Sequence, residues 1–269
     1  MKKTTNLYSP AHALYLKHRR RENIAVQAAR AGLLLLLLGV WELIAWLELA
    51  DPFIISSPSR IAKVIGSLAA DGSPFYHIGT TLWETLAGFA VAVIAGTAIA
   101  LLLWWSERAR RVLEPYIVVL NALPKIALGP VIIVWFGAGA PSIVFMTVLV
   151  SIIVATMHML EGFLSTDKNK MLLLASMGAG RRQMLTKLVL PSALPAFIGM
   201  LKISVGMAWI GSIMGEYIAS KAGLGYLIVY GGQVFRLDLV MAATAILCLL
   251  AAGMYALVAL AEKLLLRRR

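Results

Sequence analysis

The sequence consists largely of long apolar runs separated by short polar segments. The first run extends from Ala31 to about Leu49, and further runs follow up to about Leu260. A helix needs about 20 apolar residues to cross the hydrocarbon core of a bilayer. The chain has 60% hydrophobic and 14% charged residues and a mean hydropathy of +0.84, whereas soluble domains have about 45 to 50% apolar and about 25% charged residues. We therefore expect an integral membrane protein whose 269 residues leave no room for a large domain outside the membrane.

The apolar runs predict six transmembrane helices in an all-α fold. A cleaved signal peptide is the alternative for the first run, but that run exceeds the usual length of about 7 to 15 residues and follows a long polar leader. After it, Ser56-Ser57-Pro58-Ser59 offers a helix start, and apolar residues at helical spacing predict a short helix on the membrane surface. Residues 164–191 form a basic interruption and residues 219–237 a glycine-rich loop. The predicted spans are 31–49, 80–105, 123–136, 142–160, 193–217 and 239–260.

The positive residues predict the orientation, because Lys and Arg of short loops stay on the cytoplasmic side of a membrane. With the N-terminus inside, nineteen of the 25 Lys and Arg residues lie in the leader, the loops after spans two and four, and the C-terminal tail. Four lie on the opposite side, and Lys125 and Lys202 lie within spans. Both termini are therefore expected in the cytoplasm. The net charge of +12 is explained by topology and not by nucleic-acid binding.

The sequence lacks the patterns of the common enzyme sites. It contains no G-x-x-x-x-G-K-[ST] loop for a nucleotide phosphate. The four histidines are scattered without an i,i+4 partner, and the lone Cys248 excludes both an intrachain disulfide and a cysteine cluster for a metal. We expect no catalytic residue, no metal and no cofactor in this chain.

The basic interruption has the features of a loop that transmits force between a soluble subunit and a membrane helix. Such a loop needs a short helix, a glycine where that helix ends and the chain reverses, and a proline in the first turn of the next helix. Gly178 and Pro191 have the right spacing for these two roles. The alternative is an amphipathic loop helix that only rests on lipid headgroups.

Four separated segments resemble ABC importer permeases of the nitrate, sulfonate and taurine group. The loop of these permeases has the pattern E-A-A, three residues, G, nine residues, I-x-L-P. Gly178, Leu190 and Pro191 are in register with it and Leu188 replaces the Ile, but Leu172-Leu173-Leu174 stand where the family has E-A-A. The further similar segments are Leu123 to Pro130, Trp135 to Gly139, and Gly223 to Leu227 with Asp238 beyond it. Glu84 departs from the pattern of this permease group, whose members tend to have a basic or neutral residue at this position.

The resemblance implies a six-span, type I ABC importer (MetI-like) permease fold in a bacterial inner membrane. Such a subunit transports without hydrolysing ATP, which partner ATP-binding cassette subunits bind. It pairs with a second permease as a homodimer or with a related chain, and a periplasmic solute-binding protein delivers a small solute such as a sulfonate, taurine, nitrate or a related small organic compound. The expected segments are a cytoplasmic tail 1–30, a first helix 31–50, a periplasmic segment 51–78, a permease core 79–263 with coupling loop 164–191, and a tail 264–269.

The resemblance also assigns candidate residues for the contact with the ATPase, all within the coupling loop. They are Leu173, Leu174, Ala175, Ser176, Met177, Gly178, Ala179, Arg181, Arg182 and Pro191. A second set of candidate residues is expected along the translocation pathway. It consists of Lys125, Lys202, Met207, Trp209 and Glu216.

Several of these assignments have a structural alternative. Lys202 either attracts anions to a cavity or forms a structural pair, because a Lys deep in a membrane must face protein or water. Gly211 and Gly215 form a G-x-x-x-G pattern that allows close helix packing, either at a dimer interface or within one subunit. For the whole chain, the alternative function is a secondary carrier or channel without an ATPase partner. Such a carrier is expected to show inverted halves, and no internal repeat is evident.

Overall fold

The computed structural model describes residues 10–49 and 51–266. The ends of both predicted tails, residues 1–9 and 267–269, lie outside these described residues. In this part of the chain all regular elements are helical. The α-helices are α1 Pro10–Trp46, α2 Pro52–Ile55, α3 Pro58–Asp71, α4 Ser73–Trp105, α5 Glu107–Ala122, α6 Gly129–Phe136, α7 Ala140–Leu164, α8 Lys168–Ser176, α9 Arg181–Met184, α10 Leu190–Ser192, α11 Leu194–Ala219, α12 Leu224–Gln233 and α13 Leu237–Leu266.

Five of these helices are long and apolar enough to cross a membrane. They are the segments Leu14–Trp46, Pro74–Trp105, Ala140–Leu164, Leu194–Ala219 and Leu237–Leu265. A sixth span arises if Glu107–Ala122 and Lys125–Phe136, which are bent by 85° at a short break, are counted as one. The all-helical membrane fold is confirmed, and the predicted spans other than the third each correspond to one long helix.

The third predicted span, 123–136, is wrong as a single helix. At 1.5 Å per residue, the eight residues of α6 extend about 12 Å, too short for a bilayer core of about 30 Å. The preceding α5 is amphipathic, has Pro115 inside it, and contains no buried residue. A 3-10 turn at Lys125–Leu128 follows Pro124 and separates the two helices. Proline removes a backbone donor and restricts the preceding residue, which accounts for the break.

Two other segments contain more helix than predicted. The glycine-rich loop 219–237 contains α12, which begins directly after Gly223. Within the predicted tail 1–30, the described residues are helical from Pro10 onward. Its Arg, Glu, Gln and Ala residues have good helix propensity, so the polar leader extends the helix of the first span.

The chain divides into two compact units, with the boundary between Lys63 and Val64. In the first unit, the Glu42 carboxylate accepts hydrogen bonds from the Ser59 amide at 2.9 Å and the Ser59 hydroxyl at 2.7 Å. The Trp41 indole N–H donates to the Ile55 carbonyl at 3.3 Å. Glu42 thus satisfies an amide in the first turn of α3, where a negative charge is also favourable to the helix dipole.

The second unit is built on three long helices, with α7 packed between α4 and α11. Small residues make the close approach possible. A Cβ added at Gly211 would lie 2.7 Å from the Thr147 Cα, and one at Gly215 would lie 2.9 Å from the Ile143 Cα. The G-x-x-x-G pattern therefore serves packing within one subunit. The Thr85 and Ser212 hydroxyls, 2.7 Å apart, also link α4 to α11.

Candidate coupling loop and solute cavity

The segment between α7 and α11 forms two short helices joined by a tight turn. Asp167 caps α8 by accepting a hydrogen bond from the Asn169 amide at 2.8 Å. Gly178 follows the end of α8 with a φ of +81°, a conformation that glycine adopts without strain. In this turn the Gly178 and Ala179 amides donate to the Ala175 and Leu174 carbonyls. The chain therefore reverses at Gly178, as a helix-ending glycine is expected to do.

Apolar side chains at this turn project away from the rest of the protein. Leu173 is 60% exposed and Met177 is 74% exposed, and both lie among the candidate ATPase-contacting residues. Leu174 is half-buried, and Ala175 and Ser176 are exposed. Adjacent exposed apolar residues within a basic loop are typical of a surface that another protein covers.

Arg181 anchors the loop to the transmembrane helices. Its guanidinium donates a hydrogen bond to the Trp105 carbonyl, at the C-terminal end of α4, over 2.8 Å. The last carbonyls of a helix lack intrahelical donors and carry a partial negative charge. Arg182, the next residue, is exposed. This hydrogen bond joins the loop to the end of α4.

Pro191 lies in the first turn of the short helix α10, as predicted. The helical path that leads to it begins at Arg181, about three turns earlier, and passes through a wider π-type turn at Leu185–Val189. Because proline has no N–H for the carbonyl one turn back, the wider turn accommodates it without ending the helical path. The loop thus leads almost continuously into α11.

An open cavity of about 720 Å³ lies between α5, α7 and α11. Its polar lining comes from Glu114, Asn121, His158 and Glu161, together with two hydroxyl side chains. Apolar side chains, among them Met207, form the rest of the wall. This volume lies within the range of about 300 to 1,000 Å³ that is typical of small-molecule sites.

Of the five candidate pathway residues, only Met207 lines this cavity. Lys202 forms an ion pair with Glu262 of α13 at 2.5 Å, and Lys125 donates to the Asn121 carbonyl at 2.9 Å across the break after α5. Trp209 is buried in an apolar cluster with residues of α12 and α13. The structure therefore does not bring the predicted set together.

Glu216, the fifth candidate, lies beneath the start of α12. Its side chain is 1% exposed and accepts a hydrogen bond from the Gly225 amide at 2.5 Å. The two preceding amides donate to side chains of α4, Gly223 to His77 at 3.0 Å and Leu224 to Thr81 at 2.8 Å. Three successive amides at the start of α12 are thus satisfied by side chains of α4 and α11, which fixes α12 on these helices.

The close contact with Glu216 explains why glycine stands at positions 223 and 225. A Cβ at Gly223 would lie 2.4 Å from a Glu216 carboxylate oxygen, and one at Gly225 would lie 2.8 Å from it. The buried Glu84 carboxyl also contacts Glu216. Sequence reasoning missed these partners, because they are distant in the chain, although the unusual Glu84 was a signal.

The sequence profile described as "Binding-protein-dependent transport system inner membrane component" matches residues 64–269. The chain belongs to this family. Among curated relatives, the formylaminopyrimidine transport permease protein ThiX of Halalkalibacterium halodurans is 35% identical, over 71% of this chain and 76% of the relative. The taurine transport system permease protein TauC of Escherichia coli is 28% identical, over 82% of each chain.

The permease fold also agrees with solved structures. A chain of the MetNI methionine ABC transporter, in an inward-facing conformation, superposes with a TM-score of 0.60 at 18% identity. The match covers 71% of this chain and 95% of that chain. The fold is therefore that of type I ABC importer permeases, and the protein is a multi-pass inner-membrane component of a binding-protein-dependent importer.

Proposed function

We propose that this chain is the membrane-spanning subunit of an ATP-driven importer. Together with a second permease, as a homodimer or a paired chain, it forms the translocation path for a small solute. Partner subunits bind and hydrolyse ATP, and a solute-binding protein delivers the solute from the outer face. Both chain termini lie in the cytoplasm, and the path opens alternately to the two sides.

The exposed apolar turn of the coupling loop is the observation that carries this proposal. Leu173 and Met177 are exposed apolar residues at the tip of a basic loop, where a motor subunit would cover them. Covering them with a partner removes apolar area from water and is favourable. The Arg181 hydrogen bond to the end of α4 then links the loop that this partner would contact to the membrane helices.

The broken helix α5–α6 and the adjacent cavity support a solute path in the same unit. Irregular backbone at membrane depth is tolerated where it is buried in protein or lines a water-filled cavity. Asn121, at the end of α5, lines the cavity next to the break. The solute is a small compound like those in the relatives' names. These are taurine, which carries an anionic sulfonate group, and a formylaminopyrimidine, which is a nitrogen heterocycle.

Co-purification with the ATP-binding subunit of the same importer tests the proposal. We expect the wild-type chain to retain that subunit and the double variant Leu173→Glu, Met177→Glu to lose it, because both substitutions place charge in an apolar contact. Phe235→Glu is the matched control, since Phe235 is an exposed apolar loop residue at 71% exposure outside the coupling loop. It is expected to retain the ATPase.

Folding of each variant is checked by its elution as a single species in detergent. A folded double variant that still retains the ATPase would contradict the assignment of the coupling loop. If the wild-type chain binds no ATPase and moves solute alone, the alternative of a secondary carrier is correct.

A further inference from the structure

The cavity between α5, α7 and α11 has a charge opposite to that of the chain as a whole. The sequence contains 25 Lys and Arg against 13 Asp and Glu. Yet Glu114 and Glu161 line the cavity with His158, and among the described residues that line it there is no Lys or Arg. The charged side chains that this chain contributes to the lining are therefore acidic.

The two carboxylates are free to interact with a solute. In the described part of the chain neither Glu114 nor Glu161 forms an ion pair with a Lys or Arg side chain, although such pairs occur elsewhere, as between Glu107 and Arg111 at 2.6 Å. Both Glu114 and Glu161 are exposed. Within this chain both carboxylates are therefore left to solvent, to the second permease or to a solute that enters the cavity.

The lysine expected to attract anions is not available for that role. Lys202 is paired with Glu262 at 2.5 Å, and it does not line the cavity. An anion entering the cavity would meet two like charges and no positive side chain of this chain's lining, which is unfavourable. The apolar wall, which includes Val154, Met157 and Ile203, suits a solute with an apolar face.

We infer that this cavity admits uncharged or positively charged solutes with N–H donors and an apolar part, and that it disfavours anions such as sulfonates. The inference rests on the proposed function, because it takes the cavity to be part of the importer's path. Amines and amino-substituted heterocycles have this chemistry. Their N–H groups donate to carboxylates and to the Asn121 amide oxygen, and their carbon skeleton packs on the apolar wall.

A thiol placed in the cavity tests this charge preference without knowledge of the solute. Met207→Cys is made in a Cys248→Ser background, since Cys248 is the chain's single cysteine. The complex with the ATP-binding subunit is treated at low ionic strength with two methanethiosulfonates, one carrying a trimethylammonium group and the other a sulfonate. These reagents are the cationic and anionic probes, and labelling is read from the mass of this chain.

The reference is Ala138→Cys, an exposed loop position outside the cavity. We expect the ratio of cationic to anionic labelling rates to be higher at Met207→Cys, because each carboxylate attracts the cationic reagent and repels the anionic one. For a carboxylate about 8 Å from the thiol in water, this effect would be about fivefold. The pair Glu114→Gln, Glu161→Gln should bring the ratio close to the reference. Glu107→Gln, which removes an exposed carboxylate outside the lining, should leave it unchanged.

Equal ratios at the two cysteines, or a ratio unaffected by the paired Gln substitutions, would overturn the inference. So would a Met207→Cys thiol that reacts with neither reagent, because the cavity would then be covered. Failure of the proposed function gives a different result. In that case trapping the complex with ATP and vanadate leaves both labelling rates unchanged, or no ATPase is retained, while the charge ratio persists.

Discussion

Replacement of a single glycine on α11 tests the packing that forms the permease core. Thr147 of α7 lies between two glycines, Gly88 of α4 and Gly211 of α11. A Cβ at Gly211 would lie 2.7 Å from the Thr147 Cα, whereas ordinary contact begins at 3.4 Å, so α7 and α11 must separate by about 0.7 Å. Gly206, on the same helix, has no atom within 4 Å of an added Cβ and is the matched control.

The expected magnitude follows from two opposing effects. Overpacking costs about 1 to 3 kcal/mol, and Gly to Ala in a helix gains about 0.5 to 1 kcal/mol. Gly211→Ala should therefore lower the free energy of unfolding by up to about 2.5 kcal/mol, and by about 1 to 3 kcal/mol relative to Gly206→Ala, which has the gain without the overpacking. For a unit of this size, each kcal/mol lowers Tm by about 2 to 4 °C.

Thermal unfolding of the purified protein in detergent, followed by tryptophan fluorescence, measures this difference. Gly206→Ala should leave Tm unchanged or raise it slightly. If Gly211→Ala is as stable as Gly206→Ala, the close contact between α7 and α11 does not exist, and the packing described above is refuted.

Three further changes have defined outcomes. Gly225→Ala should lower Tm in the same assay, because the added Cβ would lie 2.8 Å from the buried Glu216 carboxylate. Gly232→Ala on the same helix is the control and should leave Tm unchanged, because its Cβ would have no atom within 4 Å. Equal Tm values for the two variants would contradict the contacts between Glu216 and the start of α12. Lys202→Met should lower Tm, because it leaves Glu262 without its partner. The double variant Lys202→Met, Glu262→Leu should recover most of this loss in Tm. A double variant with the same Tm as the single variant would exclude a stabilising Lys202–Glu262 pair. Arg181→Ala should increase hydrogen exchange at the end of α4 and in the coupling loop, measured by mass spectrometry; unchanged exchange would show that this bond does not anchor the loop.

The sequence predicted those features that depend on local pattern. Apolar runs of about 20 residues gave the long helices, because the bilayer imposes their length. The turn at Gly178 followed from the conformation that only glycine adopts easily, and its φ of +81° agrees. The family followed from four short segments in the correct order.

The features it missed depend on contacts between distant residues. His77 and Thr81 bond to amides about 145 positions away in the chain, and no periodicity indicates such a pairing. The same is true of Lys202, whose partner Glu262 lies 60 residues further on. The break after Ala122 was missed because apolar content marks membrane depth but does not show where a helix bends. Glu114 and Glu161 became candidates only when α5 and α7 were seen to enclose one cavity.

ATP hydrolysis by the complete complex in lipid nanodiscs tests the central claim most directly. The claim is that this chain couples ATP use in a partner to solute movement through its coupling loop. We predict that the solute-bound binding protein stimulates hydrolysis by the wild-type complex, and that the folded Leu173→Glu, Met177→Glu variant shows no stimulation. Hydrolysis that responds equally with wild-type chain and variant, or solute movement by this chain without the ATPase, would contradict the account.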